Sequence, residues 1–153
     1  MGGTSSRFGS PKELAEYEGE TLVDRAWRLL GEVCNERLAV GRGGLADLGT
    51  GPVAAIAAGL RAASHEVAVV IPVDMPLLSP DALQLLAGAC RDAAVGQVGP
   101  LPCAVARRAL PAFETGERRL GTVLDGLDTT RVELADELLA NVNTPADLDT
   151  LAP

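Results

Sequence analysis

Apolar residues recur along much of the chain at the three- and four-residue intervals typical of amphipathic helices. This spacing predicts a helix over residues 22–33, which Thr21 and Asp24 would begin as a capping box. A second helix is predicted to begin at Pro52, because the missing N–H of proline is favourable at a first helical position. Three further helices are predicted: residues 79–90, residues 120–127, and a terminal helix capped by Thr144 and Asp147.

Other apolar runs lack helical spacing and predict strands. Residues 67–73 are almost continuously apolar, which is typical of a strand covered on both faces. Pro72 lies inside this run, so its ladder is expected to end near that residue. Shorter strands are predicted at residues 37–41, 94–98, 102–106 and 130–134, and loops at residues 2–19 and 42–51.

Alternation of strands with helices predicts an α/β fold with a mostly parallel, doubly wound sheet. A length of 153 residues predicts a single domain over residues 1–153. Ligands of such sheets bind outside the carboxyl ends of the strands. The loops at residues 2–12, 42–51 and 74–79 are therefore the expected places for chemistry.

Charge and composition narrow the classes of function. A net charge of −8 disfavours a nucleic-acid partner, and a polyphosphate would need a local cradle and a cation. The sequence contains neither an apolar run of about 18 residues nor a secretory signal, so we expect a soluble, cytoplasmic protein without a membrane partner. Three cysteines without CxxC spacing disfavour disulfides and zinc, and predict packed thiols.

The first candidate for chemistry is the glycine-rich segment at residues 1–12. Consecutive Gly2 and Gly3 would let the backbone approach a phosphate, and Arg7 and Lys12 would add positive charge. The spacing is neither that of a Walker A loop nor GxGxxG. A flexible chain end is the alternative.

Three polar residues elsewhere are candidates for binding nucleotide or metal. Asp74 follows the long apolar strand and could hold Mg²⁺, although a turn aspartate is the alternative. Asp47 could accept two N–H bonds from a guanine edge, or could be an ordinary exposed loop residue. Helix capping explains Thr144 and Asp147 but leaves Asn143, whose amide oxygen could complete a metal site.

Two pairs of arginines lie further along the chain. Arg107-Arg108 and Arg118-Arg119 could bind an anionic second substrate, but the sequence favours solvated helix faces for both pairs. His65 is the only histidine and is predicted to be a surface residue, which argues against a Ser–His–Asp or Cys–His mechanism.

Taken together and in their order along the chain, these segments resemble the molybdenum cofactor guanylyltransferase family. The family's Gly-Gly loop, followed by an Arg, a Gly and a Lys, is similar to Gly2-Gly3, Arg7, Gly9 and Lys12. Three further segments are similar to family motifs: Asp47 through Gly51-Pro52-Val53-Ala54-Ala55, Pro72-Val73-Asp74-Met75-Pro76, and Asn141 to Leu148. Gly99-Pro100-Leu101-Pro102 with Arg107-Arg108 also resembles the family's middle segment. The resemblance therefore covers nearly the whole chain.

This resemblance implies a Rossmann-like three-layer α/β/α fold of the nucleotide-diphospho-sugar transferase type. It also implies a Mg²⁺-dependent nucleotidyltransferase that joins GMP from GTP to the phosphate of molybdopterin and releases pyrophosphate. The partners would be GTP, molybdopterin, and a molybdoenzyme or another protein of the cofactor pathway. The implied nucleotide-binding residues are Gly2, Gly3, Thr4, Arg7, Gly9, Lys12, Asp47, Gly51 and Asp74. Lys12 and Asp74 would be catalytic, and Asp74 with Asn143 would hold the metal.

The sequence departs from the family pattern in three places. The family has a strand before its Gly-Gly loop and this sequence starts at the loop, so the sheet is expected to lack that first strand. Ala55 replaces a glycine, which would narrow the nucleotide pocket, and the Asn expected after the second strand has no counterpart. Two alternatives stay open. One is the related cytidylyltransferase, which Gly2-Gly3 disfavours. The other is a non-catalytic nucleotide-binding accessory protein.

Overall fold

The computed structural model describes residues 15–40 and 51–151. Its first feature is a hairpin of two short strands, β1 (Glu16–Tyr17) and β2 (Glu20–Thr21), which pair antiparallel. Both turn residues have positive φ, 54° at Glu18 and 79° at Gly19, as a two-residue hairpin turn of the primed type requires. The loop predicted up to residue 19 is therefore wrong over β1, because two-residue strands are too short to give an alternating pattern.

The predicted helices are confirmed, with ends that differ by a few residues. Thr21 caps the helix Leu22–Val33 (α1), since its hydroxyl accepts a hydrogen bond of 3.1 Å from the backbone N–H of Asp24. Ser79 caps the helix Pro80–Ala89 (α3) in the same way, with a bond of 3.2 Å from the N–H of Ala82. The helices are α1 (Leu22–Val33), α2 (Pro52–Ala62), α3 (Pro80–Ala89), α4 (Leu120–Asp125) and α5 (Pro145–Leu151).

Two 3₁₀ helices, Arg107–Phe113 and Asp136–Leu139, were not predicted. Among the helices of the described ranges, none is long and apolar enough to cross a bilayer.

Four longer strands form the central sheet: β3 (Val67–Val70), β4 (Ala93–Gly96), β5 (Cys103–Ala106) and β6 (Thr129–Val132). Their order is β3-β5-β4-β6. β5 is antiparallel to both of its neighbours, whereas β4 and β6 are parallel. β3, β4 and β6 therefore run in one direction, which confirms the mostly parallel sheet, and β3 ends before Pro72 as predicted.

The prediction of a strand over residues 37–41 is wrong for the residues that the structure describes. Residues 37–39 join no ladder, Val40 makes an isolated bridge, and residue 41 lies outside the described ranges. A short apolar run does not specify a strand unless a neighbouring edge pairs with it. The expectation of a missing first strand concerns chain ahead of the described residues and stays a prediction.

The core has two halves, one on each face of the sheet, which makes the fold a three-layer α/β/α sandwich. Alternate residues of β4 and β5 point to opposite faces, as the pleat requires. Val95 and Val105 pack with α2 and α4, whereas Ala94 and Ala104 pack with α3 and Leu29 of α1. Both strands are buried at every position. The small alanine side chains on the second face let the helix layer lie close to the strands.

Candidate active site at the carboxyl end of the sheet

The segment after β3 carries Asp74 and is fixed at both ends. Met75 and Leu78 are buried beneath α1 and α3, so the chain turns sharply after the strand. The backbone carbonyl of Asp74 accepts a hydrogen bond of 2.7 Å from the N–H of Val142. Val142 has no exposed surface and lies between Asn141 and Asn143. The structure thus brings the two predicted metal-binding segments together at the carboxyl end of β3.

The backbone around Asn143 is explained by helix capping, as the sequence predicted. The carboxylate of Asp147 accepts hydrogen bonds from the N–H groups of Asn143 and Thr144, at 2.8 and 2.9 Å. In return, the hydroxyl of Thr144 accepts a 3.3 Å bond from the N–H of Asp147. These reciprocal bonds fix the backbone while the Asn143 residue stays exposed. The amide group predicted from the sequence to bind a metal is therefore carried on a turn whose backbone is hydrogen-bonded.

Gly51 opens the second element of the site. It precedes Pro52 at the start of α2, and its φ of 93° lies in a region that favours glycine. The amino terminus of this eleven-residue helix carries the partial positive charge that suits phosphate. Gly51 and Asp74 line the same open cavity, whose volume is about 960 Å³. Ala55 also lines it, so the methyl group that replaces a glycine hydrogen lies on the cavity wall.

The remaining predicted site residues lie outside the described ranges. They are Gly2, Gly3, Thr4, Arg7, Gly9, Lys12 and Asp47. Ala15 lies three positions after Lys12, and its carbonyl accepts a 2.8 Å hydrogen bond from the N–H of Leu22. Ala15 packs against the apolar cluster that also contains Val73 and Val142. The chain that leads away from Lys12 therefore joins the structure beside the Asp74 segment.

Arg107 and Arg108 lie at the other end of the sheet, away from Asp74. The N–H of Arg107 donates to the carbonyl of Glu66, just before β3 begins. The guanidinium of Arg108 donates to the carboxylate of Asp92 at 3.1 Å, just before β4 begins. Because β3 and β4 run in the same direction, both arginines are at the amino ends of the strands, opposite Asp74. Both arginines are exposed there.

The structure also shows where the remaining arginine pair, the histidine and the cysteines lie. Arg118 and Arg119 are exposed ahead of α4. His65 is exposed near the amino end of β3, as predicted. The three thiols are free, and burial raises the pKa of Cys103 to about 12, so this thiol is packed and unreactive at neutral pH.

Asp74 and Asn143 carry oxygen ligands of the kind that Mg²⁺ takes. Within residues 15–40 and 51–151, no group of three or more His, Cys, Asp or Glu side chains could hold an ion. Mg²⁺ needs fewer protein ligands, because it usually takes one or two carboxylates and completes its shell with water and substrate phosphates. A carboxylate at Asp74 beside the Asn143 turn fits that requirement.

Two contacts near the site were missed by sequence reasoning. The side-chain amide of Gln97, directly after β4, donates to the carbonyl of Leu134, and its oxygen accepts from the Leu134 N–H at 2.9 Å. Arg25 on α1 donates to the carbonyl of Pro76 at 2.6 Å. Both contacts join segments that are far apart in the sequence, so no local pattern predicts them. The only local sign of the hairpin next to Arg25 was the Glu18-Gly19 turn.

The fold and the arrangement of this edge define a Rossmann-like α/β protein whose polar loops cluster at the carboxyl ends of the strands. The same fold occurs in molybdopterin-guanine dinucleotide biosynthesis protein A from Archaeoglobus fulgidus. The TM-score is 0.76 at 23% identity, over 98% of this chain and 93% of that one. A nucleotidyl transferase from Methanothermobacter thermautotroptrophicus gives 0.80 at 20% identity, over 98% and 92%.

Sequence similarity identifies the family more narrowly. Residues 1–132 match the MobA-like NTP transferase domain, and the chain belongs to this family of nucleotidyltransferases. It is 33% identical to a probable molybdenum cofactor guanylyltransferase from Deinococcus radiodurans, over 99% of this chain and 90% of that protein. It is 32% identical to the molybdenum cofactor guanylyltransferase of Pseudomonas fluorescens, over 94% and 86%. The resemblance first noted in separate motifs is confirmed over nearly the whole chain.

Proposed function

We propose that this protein transfers GMP from GTP to the terminal phosphate of molybdopterin, with release of pyrophosphate, in a Mg²⁺-dependent reaction. The names of its full-length relatives support this activity. One structural observation carries the assignment of the site: the 2.7 Å hydrogen bond from Val142 to the Asp74 carbonyl, which sets Asn143 beside Asp74. A molybdoenzyme or another protein of the cofactor pathway would then receive the product.

The chemistry needs no strong general base. A phosphate monoester is already ionised at neutral pH, so its oxygen can attack the α-phosphorus of GTP directly. A new P–O bond forms, the bond to the bridging oxygen breaks, and pyrophosphate leaves with the electron pair. Catalysis then depends on alignment and on neutralising charge. The position of His65 at the far end of the sheet is consistent with this scheme.

We assign the roles as follows. The segment containing Gly2, Gly3, Thr4, Arg7 and Gly9 cradles the triphosphate, together with Gly51 at the start of α2. Lys12 neutralises charge at the α-phosphate, and Asp47 accepts hydrogen bonds from the guanine edge. Asp74 and Asn143 hold Mg²⁺, which when bound neutralises triphosphate charge.

Lys12 can be tested directly, because it is the only lysine of the chain. We expect Lys12→Ala to lower turnover by roughly 10²- to 10³-fold, as loss of a charged transition-state contact commonly does. Turnover is measured as pyrophosphate release with GTP, Mg²⁺ and molybdopterin, and the circular dichroism spectrum should not change. Near-normal turnover would remove Lys12 from the mechanism.

An amine-selective reagent gives a second readout that does not depend on turnover. It can modify only Lys12 and the terminal amine, and mass spectrometry distinguishes the two. GTP with Mg²⁺ should slow modification of Lys12. Equal labelling with and without GTP would contradict the proposed contact.

The nucleotide and the catalytic nature of the site are tested together by comparing the four nucleoside triphosphates. Release of pyrophosphate with GTP alone supports the guanylyltransferase. A preference for CTP would instead favour the related cytidylyltransferase. Binding of GTP without release from any nucleotide would favour the accessory-protein alternative.

A further inference from the structure

A third apolar cluster lies apart from the two halves of the core. Its buried members are Tyr17, Leu22 and Val142, which are 7%, 1% and 0% exposed. We call these three residues the junction cluster. The half-buried residues packed against it are Ala15, Val73, Leu77, Leu148 and Leu151. These side chains flank all three proposed site segments: the chain after Lys12, the Asp74 segment and the Asn143 turn.

Tyr17 links the hairpin to the end of the chain. Its hydroxyl donates a 3.3 Å hydrogen bond to the carbonyl of Leu151, the last residue of α5. Burial raises the pKa of Tyr17, so the hydroxyl keeps its proton through the neutral range. The tyrosine therefore ties the helix that follows Asn143 to the hairpin that follows Lys12.

Arg25 links the same hairpin to the Asp74 segment. Its guanidinium carbon lies 5.0 Å from the centre of the Tyr17 ring. Its Nε donates to the Pro76 carbonyl at 2.6 Å, and its side chain is only 20% exposed. Glu18 and Glu20 of the hairpin lie within 3.7 and 3.9 Å of its terminal nitrogen. One side chain thus contacts the hairpin, the aromatic ring and the chain two residues after Asp74.

Arg28 provides a matched control one turn further along α1. It forms ion pairs with Glu20 and Glu32, both with nitrogen–oxygen distances of 3.0 Å, and is 51% exposed. It has the same charge and shares Glu20 with Arg25, but the structure gives it no contact with the Asp74 segment. A comparison of the two arginines separates alignment of the site from the general stability of α1.

We propose that Tyr17 and Arg25 are positioning residues, which hold the Asp74 segment and the Asn143 turn in register with each other through the hairpin. This inference rests on the proposed function, since it concerns the same site. Neither side chain would touch the reacting atoms. Their effect would come from alignment, and a displacement of about 1 Å can cost as much as 10²-fold in rate.

The test compares Arg25→Gln with Arg28→Gln in the full-length protein, well below the unfolding temperature. We expect Arg25→Gln to lower kcat at least tenfold while the KM for GTP changes less than threefold. Arg28→Gln should keep kcat within about twofold, although both variants lose an ion pair of α1. Arg25→Lys should recover part of kcat, because it keeps the charge and a donor, and it also serves if the glutamine variant does not fold.

Hydrogen exchange gives a readout that is independent of catalysis. The N–H of Val142 bonds to Asp74, so Arg25→Gln and Tyr17→Phe should speed its exchange more than that of amides in β4. Equal effects of Arg25→Gln and Arg28→Gln on kcat and on Val142 exchange would overturn the positioning role. An inactive wild type with GTP would instead count against the proposed function, and the exchange comparison would still decide the role of Arg25.

Discussion

The two ends of the central sheet carry charged residues that are held in different ways. At the amino end, side chains pair with one another: Asp92 accepts bonds from the Arg108 guanidinium and the Asp128 N–H, both at 3.1 Å, and Arg91 pairs with Asp128 at 2.8 Å. At the carboxyl end, Asp74 is held through its backbone carbonyl and Asn143 through its backbone N–H.

The two ends therefore differ in whether side chains or backbone groups make the contacts. The pairs at the amino end use the charges of their side chains to join the starts of β4 and β6. The contacts that fix the Asp74 and Asn143 segments to their neighbours are made by backbone groups. Charged residues that look equivalent in sequence, such as Asp74 and Asp92, therefore have different expected effects when they are replaced.

The largest expected effect is that of Asp74→Asn. We expect pyrophosphate release to fall by roughly 10²- to 10³-fold, because a neutral amide neither holds Mg²⁺ well nor offsets its charge. Asp92→Asn is the matched control at the other end of the sheet and should keep near-normal turnover. Steady-state rates over a Mg²⁺ titration distinguish them, and similar losses in both variants would erase the proposed contrast between the two ends.

A moderate effect on stability is expected at Asp92. The Asp128 N–H and then the Arg108 guanidinium lower the pKa of Asp92 in the folded protein. A lowered pKa stabilises the fold above the unfolded value of about 4, and this contribution disappears as the pH falls through the folded pKa.

Urea unfolding tests this expectation. Asp92→Asn should lower the urea midpoint at pH 7, and its difference from the wild type should shrink towards pH 3. Glu133 is exposed and makes no ion pair or hydrogen bond in the described structure, so Glu133→Gln should leave the midpoint unchanged at both pH values. A midpoint difference for Asp92→Asn that is constant with pH would show that charge is not its cause.

The smallest expected effect is that of Arg107→Ala on catalysis. Arg107 lies beside Glu66 at the amino end, away from Asp74, so kcat and the KM for each substrate should stay within twofold. Arg118→Ala is measured in the same assay for comparison. A tenfold rise in the KM for molybdopterin in Arg107→Ala would indicate that this substrate binds at the amino end of the sheet, which would contradict the proposed site.

Features of the site that depend on neighbouring residues could be predicted from the sequence. The Thr144 and Asp147 cap, the Gly51-Pro52 helix start and the Asp74 position after an apolar strand all depend on residues within a few positions. The antiparallel placement of β5 was not predicted. It is this reversal that carries Arg107 and Arg108 back to the amino end, away from the site.

The sequence by itself determined the helices, the course of β3 and the three-layer class of fold, because periodicity and capping act over one or two turns. It also determined the family, through motifs that recur in order. Only the tertiary structure decided that Val142 bonds to Asp74, that Arg25 spans from the hairpin to Pro76, and that Asp92 neutralises Arg108. These contacts join segments far apart along the chain, and their partners depend on strand order and packing, which no local pattern encodes.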